Sequence, residues 1–212
     1  MRLRHIPGAA EAVAASPLVY DEKKASDHRG KWRELFVNGA DAPLHLEIGM
    51  GRGRFLLAKA LAEPNVDFLG LELRAEMIME ALERTEEPPA NLRFLWLNAA
   101  LLTELFAPGE IDRIYLNFPD PWPKSRHAKR RLTAESFLRQ YEQILAEDGE
   151  LCFKTDNADL FRWSLWSFQE AGWQEISSTT DQPWEEAGVI SEYENRYRHK
   201  GIPICCGKWR KK

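Results

Sequence analysis

The sequence predicts an α/β protein, a mostly parallel seven-stranded sheet with helices on both faces and an antiparallel strand at the C-terminal end. Three observations predict it. From residue 44 onward, apolar runs of strand length alternate with helix-period patterns, which is the rhythm of right-handed βαβ units. The 212 residues are 44% hydrophobic and 29% charged, ordinary for one globular domain. The last stretch leaves that rhythm, so it adds a strand without a crossover helix.

The expected strands cover residues 44–48, 68–72, 92–97, 111–118, 150–155 and 173–179, with a last one near 202–206. Helical patterns fill 54–62, 74–84, 133–146 and 158–171. The third is the clearest: Phe137, Leu138, Tyr141, Ile144 and Leu145 form one stripe, and Gly149 follows near its end. No repeat or linker divides the chain, so residues 1–212 read as a single domain. Residues 1–35 read as an N-terminal basic extension that can be mobile. No apolar run approaches the roughly 18 residues that cross a bilayer. The N-terminus lacks the apolar core of a signal peptide, so a cytoplasmic protein is expected. The three cysteines and five histidines show no metal-ligand spacing, and no metal is expected.

Charge is sorted along the chain although the net value is only -4. Residues 1–10, 124–131 and 195–212 hold 14 of the 29 Lys and Arg and no acid, leaving 15 bases against all 33 acids elsewhere. A polyanion would be drawn to one face if these segments meet, whereas separate solvated loops and tails would have no such effect.

Ligands of parallel sheets sit beyond the carboxyl ends of the strands. The first strand runs into Gly49-Met50-Gly51-Arg52-Gly53, a turn in which backbone can lie close to a ligand. Arg54 stands where the dinucleotide pattern requires glycine. Glu47 places a carboxylate near the strand end, which would repel a pyrophosphate and attract a cationic ligand such as S-adenosylmethionine. Glu72 ends the second strand, where an acid can bond ribose hydroxyls or cap the next helix. Asn98 ends the third and can read an adenine edge or serve as an N-cap. The patterns E-x-G-x-G-x-G and F-L-G-L-E resemble a Rossmann-like class I S-adenosylmethionine-dependent methyltransferase.

The fourth strand opens into Pro119-Asp120-Pro121-Trp122-Pro123-Lys124, where three prolines stiffen the loop. Lys124, Arg126, Lys129, Arg130 and Arg131 follow, so cations stand beside an aromatic and a carboxylate, a combination suited to phosphates and a base. The fifth strand ends in Lys154-Thr155-Asp156-Asn157. Near the C-terminus, Tyr193, Tyr197 and Trp209 lie among bases, as nucleic-acid contacts or as core.

Taken together, E-I-G-M-G-R-G at 47–53, F-L-G-L-E at 68–72, N-F-P-D-P-W-P-K at 117–124, the basic run ending in Lys129-Arg130-Arg131-Leu132, F-K-T-D-N at 153–157 and S-E-Y-E at 191–194 resemble the TrmB family of tRNA (guanine-N7-)-methyltransferases. The likeness includes the Arg2-Leu3-Arg4-His5 start and Arg29-Gly30-Lys31-Trp32. It implies methylation of N7 of a guanine in the tRNA variable loop, guanine-46. Glu47, Gly49, Gly51, Gly53, Glu72, Asn98 and Asp120 would hold the cofactor, with Asp120 also at the reaction centre. Lys124, Asp156, Ser191, Glu192, Tyr193 and Glu194 would contact substrate, and Arg126, Lys129, Arg130 and Arg131 the tRNA backbone. Asn98 stands where the family frequently has an acid, and Ser191 keeps the hydroxyl of its usual threonine. A monomer or homodimer is expected, with tRNA as partner and no membrane.

Two rival readings explain less of the sequence. A methyltransferase for a small molecule or protein leaves the basic segments idle. An RNA-binding module without activity leaves Glu47, Glu72 and Asp120 idle.

Overall fold

A computed structural model describes residues 6–84, 87–183 and 188–212. Its sheet contains β1 (Val19–Tyr20), β2 (Leu44–Ile48), β3 (Asp67–Glu72), β4 (Leu92–Trp96), β5 (Ile111–Asn117), β6 (Leu145–Thr155), β7 (Gln174–Thr179) and β8 (Cys205–Arg210). The spatial order is β1-β4-β3-β2-β5-β6-β8-β7, and every pairing is parallel except the two made by β8. The helices are α1 (Ala9–Ala15), α2 (Glu22–Ser26), α3 (Arg54–Ala62), α4 (Ala75–Leu82), α5 (Leu102–Leu105), α6 (Glu135–Ile144), α7 (Ala158–Glu170) and α8 (Glu192–Arg198).

The strands expected at 44–48, 68–72, 92–97, 111–118 and 173–179 are β2, β3, β4, β5 and β7, each end within one residue. β2 is buried at all five positions, the mark of a central parallel strand covered on both faces. The expected seven strands become eight because Val19–Tyr20 pairs with β4 at the sheet edge. β6 begins at Leu145 instead of 150, since the chain is already extended there and runs straight through Gly149. A Cβ on Gly149 would lie 2.9 Å from Leu145 Cδ2 and 3.0 Å from the Ala146 carbonyl, so glycine fits this bend of the strand. The last strand is displaced from the expected 202–206 to Cys205–Arg210. Its register is set by Trp209, which is fully buried opposite Leu151 and stacks on Phe168 at 4.2 Å and 9°.

The sheet separates two apolar cores. One, with α1, α3 and α4, packs Val13, Phe55, Leu56, Ile78 and Ala81 against Phe68 and Phe94. The other packs Leu105, Leu138, Tyr141, Phe161 and Phe168 against Leu46, Ile114 and Phe153.

Arg2 and Arg4, with the Arg2-Leu3-Arg4-His5 start, lie outside the described residues. Within the described part of the expected extension, Gly30 and Trp32 contact the body of the domain. Trp32 is fully buried, donates its Nε1–H to the Leu105 carbonyl at 2.9 Å and packs on Phe106. The buried Glu110 carboxylate accepts N–H bonds from Gly30, Trp32 and Ala107. Burying that carboxylate is tolerable because three donors satisfy it.

Candidate active site

The glycine turn follows β2 with positive φ at Gly49 (76°), Gly51 (56°) and Gly53 (67°). The Gly49 and Met50 N–H groups both donate to the Leu71 carbonyl, at 2.8 and 3.1 Å, tying the turn to the end of β3. Beyond the positive φ they share, two of the glycines differ in what surrounds them. A Cβ on Gly53 would stand 2.9 Å from Ala81 Cβ, so packing of α3 on α4 demands its absence. A Cβ on Gly51 would meet nothing within 4 Å, which leaves room for a ligand beside the turn.

Glu47, in β2 two residues before this turn, is 2% exposed. Its Oε1 accepts a 2.9 Å bond from Asn117 Nδ2, and its Oε2 is buried with no hydrogen-bond partner. Burial pushes its pKa up to about 8; the Asn117 bond opposes this and the Glu72 charge adds to it. A buried carboxyl with one satisfied and one orphaned oxygen fits a ligand that brings a positive donor, such as an ammonium. Glu72 is held at three points: Gly51 N–H reaches its Oε2 at 3.1 Å, and Leu73 and Arg74 N–H reach its Oε1 at 2.8 and 3.0 Å. It therefore braces the turn against the start of α4 while keeping lone pairs for further donors. Its pKa is raised by burial, against those hydrogen bonds. Asn98 is exposed and caps the short helix at Ala99–Leu101, accepting the Ala100 N–H at 2.9 Å.

The proline loop is more constrained than its prolines require. Phe118 and Trp122 both have left-handed backbone, with φ of 52° and 41°. Such conformations cost non-glycine residues about 1–3 kcal/mol each and persist where the surroundings enforce them. The surroundings here are specific. Phe118 N–H donates to the Lys154 carbonyl at 2.8 Å, and its ring stacks on Tyr197 at 6.1 Å. Arg131 donates to the Pro121 and Trp122 carbonyls, both at 3.1 Å, while its guanidinium lies 4.4 Å over Trp163. Arg130 covers Trp122 at 5.0 Å. Asp120 is thus presented, exposed, at the carboxyl end of β5 by a loop held from both sides.

The remaining expected site residues divide. Lys124, Arg126, Lys129 and Arg130 are exposed on or beside the 3-10 turn Ser125–Arg130. Arg131, expected on the tRNA backbone, directs two of its five N–H donors to the loop's own carbonyls. Ser191 caps α8, its Oγ accepting the Glu194 N–H at 3.1 Å. Glu194, expected to contact substrate, is 1% exposed and ion-paired to Arg198 (2.7 Å) and Lys154 (3.2 Å). Tyr193 is exposed, and the Glu192 side chain lies outside the described residues. Asp156 is half-buried and hydrogen-bonded to Tyr197, whose pKa is raised first by burial and then by the Asp156 charge.

Asn117, Arg131 as a brace and Tyr197 were not assigned these roles from sequence. Asn117 carried a signal, since it opens the N-F-P-D-P-W-P-K stretch. The other two residues make contacts nine or more positions apart, which spacing alone does not show. Among the described residues, no group of three or more His, Cys, Asp and Glu is placed to hold a metal ion. Nor, among the described residues, is any helix long and apolar enough to cross a membrane.

Comparison with known proteins agrees with this geometry. A family model described as "Putative methyltransferase" matches residues 41–206. Among solved structures, the 16S rRNA methyltransferase KamB superposes with a TM-score of 0.64 at 15% identity, covering 86% of this chain and 94% of that one. A 30S ribosomal A1408 methyltransferase from an uncultured bacterium gives 0.62 at 12% identity, over 88% and 94%. The fold and the matched model define a methyltransferase built on a Rossmann-like sheet.

Its relatives narrow the class. The tRNA (guanine-N(7)-)-methyltransferase of Lachnoclostridium phytofermentans is 45% identical over 96% of this chain and 95% of its own length. That of Brevibacillus brevis is 46% identical over 96% and 95%. The chain belongs to the TrmB family of tRNA (guanine-N(7)-)-methyltransferases.

Proposed function

We propose that this protein methylates N7 of guanine-46 in the tRNA variable loop, using S-adenosylmethionine, in the cytoplasm. The observation that carries the reading is the pairing of two carboxylates at one sheet end. Glu47 is buried beside the open glycine turn with an orphaned oxygen, and Asp120 is exposed in a braced loop among cations. The relatives' activity supports the tRNA substrate.

S-adenosylmethionine supplies, when bound, a methyl group on a positively charged sulfur. Glu47 would meet its ammonium, Glu72 the ribose hydroxyls and Asn98 the adenine edge, with Gly49, Gly51 and Gly53 keeping the turn close. A pyrophosphate would be repelled by Glu47 and Glu72, so the donor set fits a phosphate-free cationic nucleoside.

Guanine N7 presents a lone pair and no proton at neutral pH, so no general base is required. Asp120 would accept bonds from the guanine N1–H and amino group and balance the positive charge that develops on the ring. Lys124, Arg126, Lys129 and Arg130 would hold phosphates and position the strand, and Asp156, Ser191 and Tyr193 would border the substrate. The target guanine has to leave its stack to reach Asp120.

The test is chemical. Bulk tRNA lacking the modification is incubated with the protein and the methyl donor, digested to nucleosides and resolved. N7-methylguanosine, absent with a transcript carrying adenine at position 46, is expected. Methyl label in another nucleoside, or none, contradicts the reading.

A further inference from the structure

On the α3 side of the sheet, β5, β6, β7 and β8 form the floor of an open trough of about 500 Å³. Among the described residues, Lys59, Arg113, Lys154 and Lys208 line it, and no Asp or Glu does. The cations converge on the floor. Burial pushes the Cys152 thiol up to about 11, while Arg113, Lys208 and Lys154 all pull it down. His45 beside the floor is lowered to about 3, first by burial and then by the Arg113 and Lys59 charges. The balancing carboxylates stand on residues that do not line the trough: Glu63 pairs with Lys59, Glu150 with Arg113 at 2.9 Å and Glu194 with Lys154 at 3.2 Å. Such pairs hold the cations in place without filling the trough. Lys208 is exposed. The lining adds Ser177, Thr179 and Gln182 as further polar groups, and it includes Asn117, whose side chain bonds Glu47, so the trough adjoins the Glu47 site.

We propose that this trough seats a backbone phosphate of the tRNA, on the strand that leads to the guanine being methylated. The inference rests on the reading of the substrate as tRNA. The chemistry is that of an RNA phosphodiester: a monoanion met by cations fixed at one sheet face, within reach of hydroxyl and amide donors, next to the reacting base. It lies apart from the 3-10 turn that carries Arg126, Lys129 and Arg130.

Lys208→Glu in the full-length protein tests it, because the residue is exposed and outside the cofactor site. tRNA affinity should fall at least about 10-fold, and the slope of log affinity against log salt should flatten by roughly one phosphate contact. S-adenosylmethionine affinity, measured in parallel, should not change. A second measurement uses the parent protein: alkylation of Cys152 and Cys206, which line the trough, should be slowed by tRNA and not by inorganic phosphate or ATP. Protection by the small anions with none from tRNA overturns the proposal in favour of a free-anion site. The Arg126, Lys129, Arg130→Ala variant separates the two readings. If it weakens tRNA binding while Lys208→Glu does not, the trough is not on the RNA path although the substrate stands. If neither moves tRNA affinity, the tRNA reading itself falls.

Discussion

Glu47 shows what a single buried residue contributes. Its carboxyl, with an ordinary pKa of 4.5, holds its proton up to about 8 in the folded protein. The raised value sets the sign. The folded state binds the proton more tightly, so this group's contribution to stability is fully present below pH 4.5 and is lost as pH rises through 8. A cationic ligand favours the ionised form, so cofactor affinity should rise with pH toward 8. Glu47→Gln should weaken S-adenosylmethionine binding on the order of 10-fold or more and abolish that pH dependence. Thermal stability above neutral pH should hold or rise. Calorimetry across pH checks both, and a variant that binds as the parent does removes Glu47 from the site. At this scale the sequence was informative where a residue stands at a strand end: Glu47, Glu72 and Asp120 all lie where parallel-sheet logic looks. It was silent on partners. Nothing in the chain around Asn117 announces that it satisfies Glu47, because the contact spans two strands.

Elements carry the constraints that residues need. The proline loop is legible as stiff, yet its left-handed Phe118 and Trp122 require outside restraint, and that comes from Arg131, Trp163 and Tyr197. Arg131→Lys keeps the charge and loses both the paired carbonyl bonds and the ring contact. Single-turnover methyl transfer should fall on the order of 10-fold through displacement of the loop. tRNA affinity should stay within about twofold, since a cation remains. A fall in affinity with an unchanged saturated rate would restore Arg131 to phosphate binding. α8 makes the complementary case. Its Glu194 closes a buried cluster with Arg198 and Lys154, so Glu194→Ala leaves two cations without their acid and should destabilise by about 3 kcal/mol. Thermal denaturation should show a fall in Tm on the order of 10 °C, with Tyr193→Ala near the parent. The central strands were readable because burial on both faces writes continuous apolar runs. α8 and β1 were not, being short and held by contacts with residues far away in the chain, as was the true register of β8, which the Trp209 stack sets.

For the whole molecule, the sorted charge in the sequence has a more divided fate than its pattern suggests. Exposed Arg126, Lys129 and Arg130 remain available to a polyanion, whereas Arg198 is buried in its ion pair and Lys211 donates to the Glu142 and Leu145 carbonyls. Composition cannot distinguish a solvated base from one that closes a helix end, because both are the same residue. What the fold adds is separation. Glu47 and Glu72, which we propose hold the cofactor, sit at the ends of β2 and β3, Asp120, proposed to balance charge, just beyond β5, and the cations proposed to face tRNA on the turn beyond it. Affinity and chemistry should therefore be separable by mutation. The most direct test is the single-turnover rate of methyl transfer at saturating cofactor and tRNA for Asp120→Asn, which keeps the shape and removes the charge. The rate should fall about 100-fold or more, with tRNA affinity retained and no recovery at higher pH, because no proton leaves N7. A rate within a few-fold of the parent would contradict the account and leave Asp120 as a turn residue between two prolines.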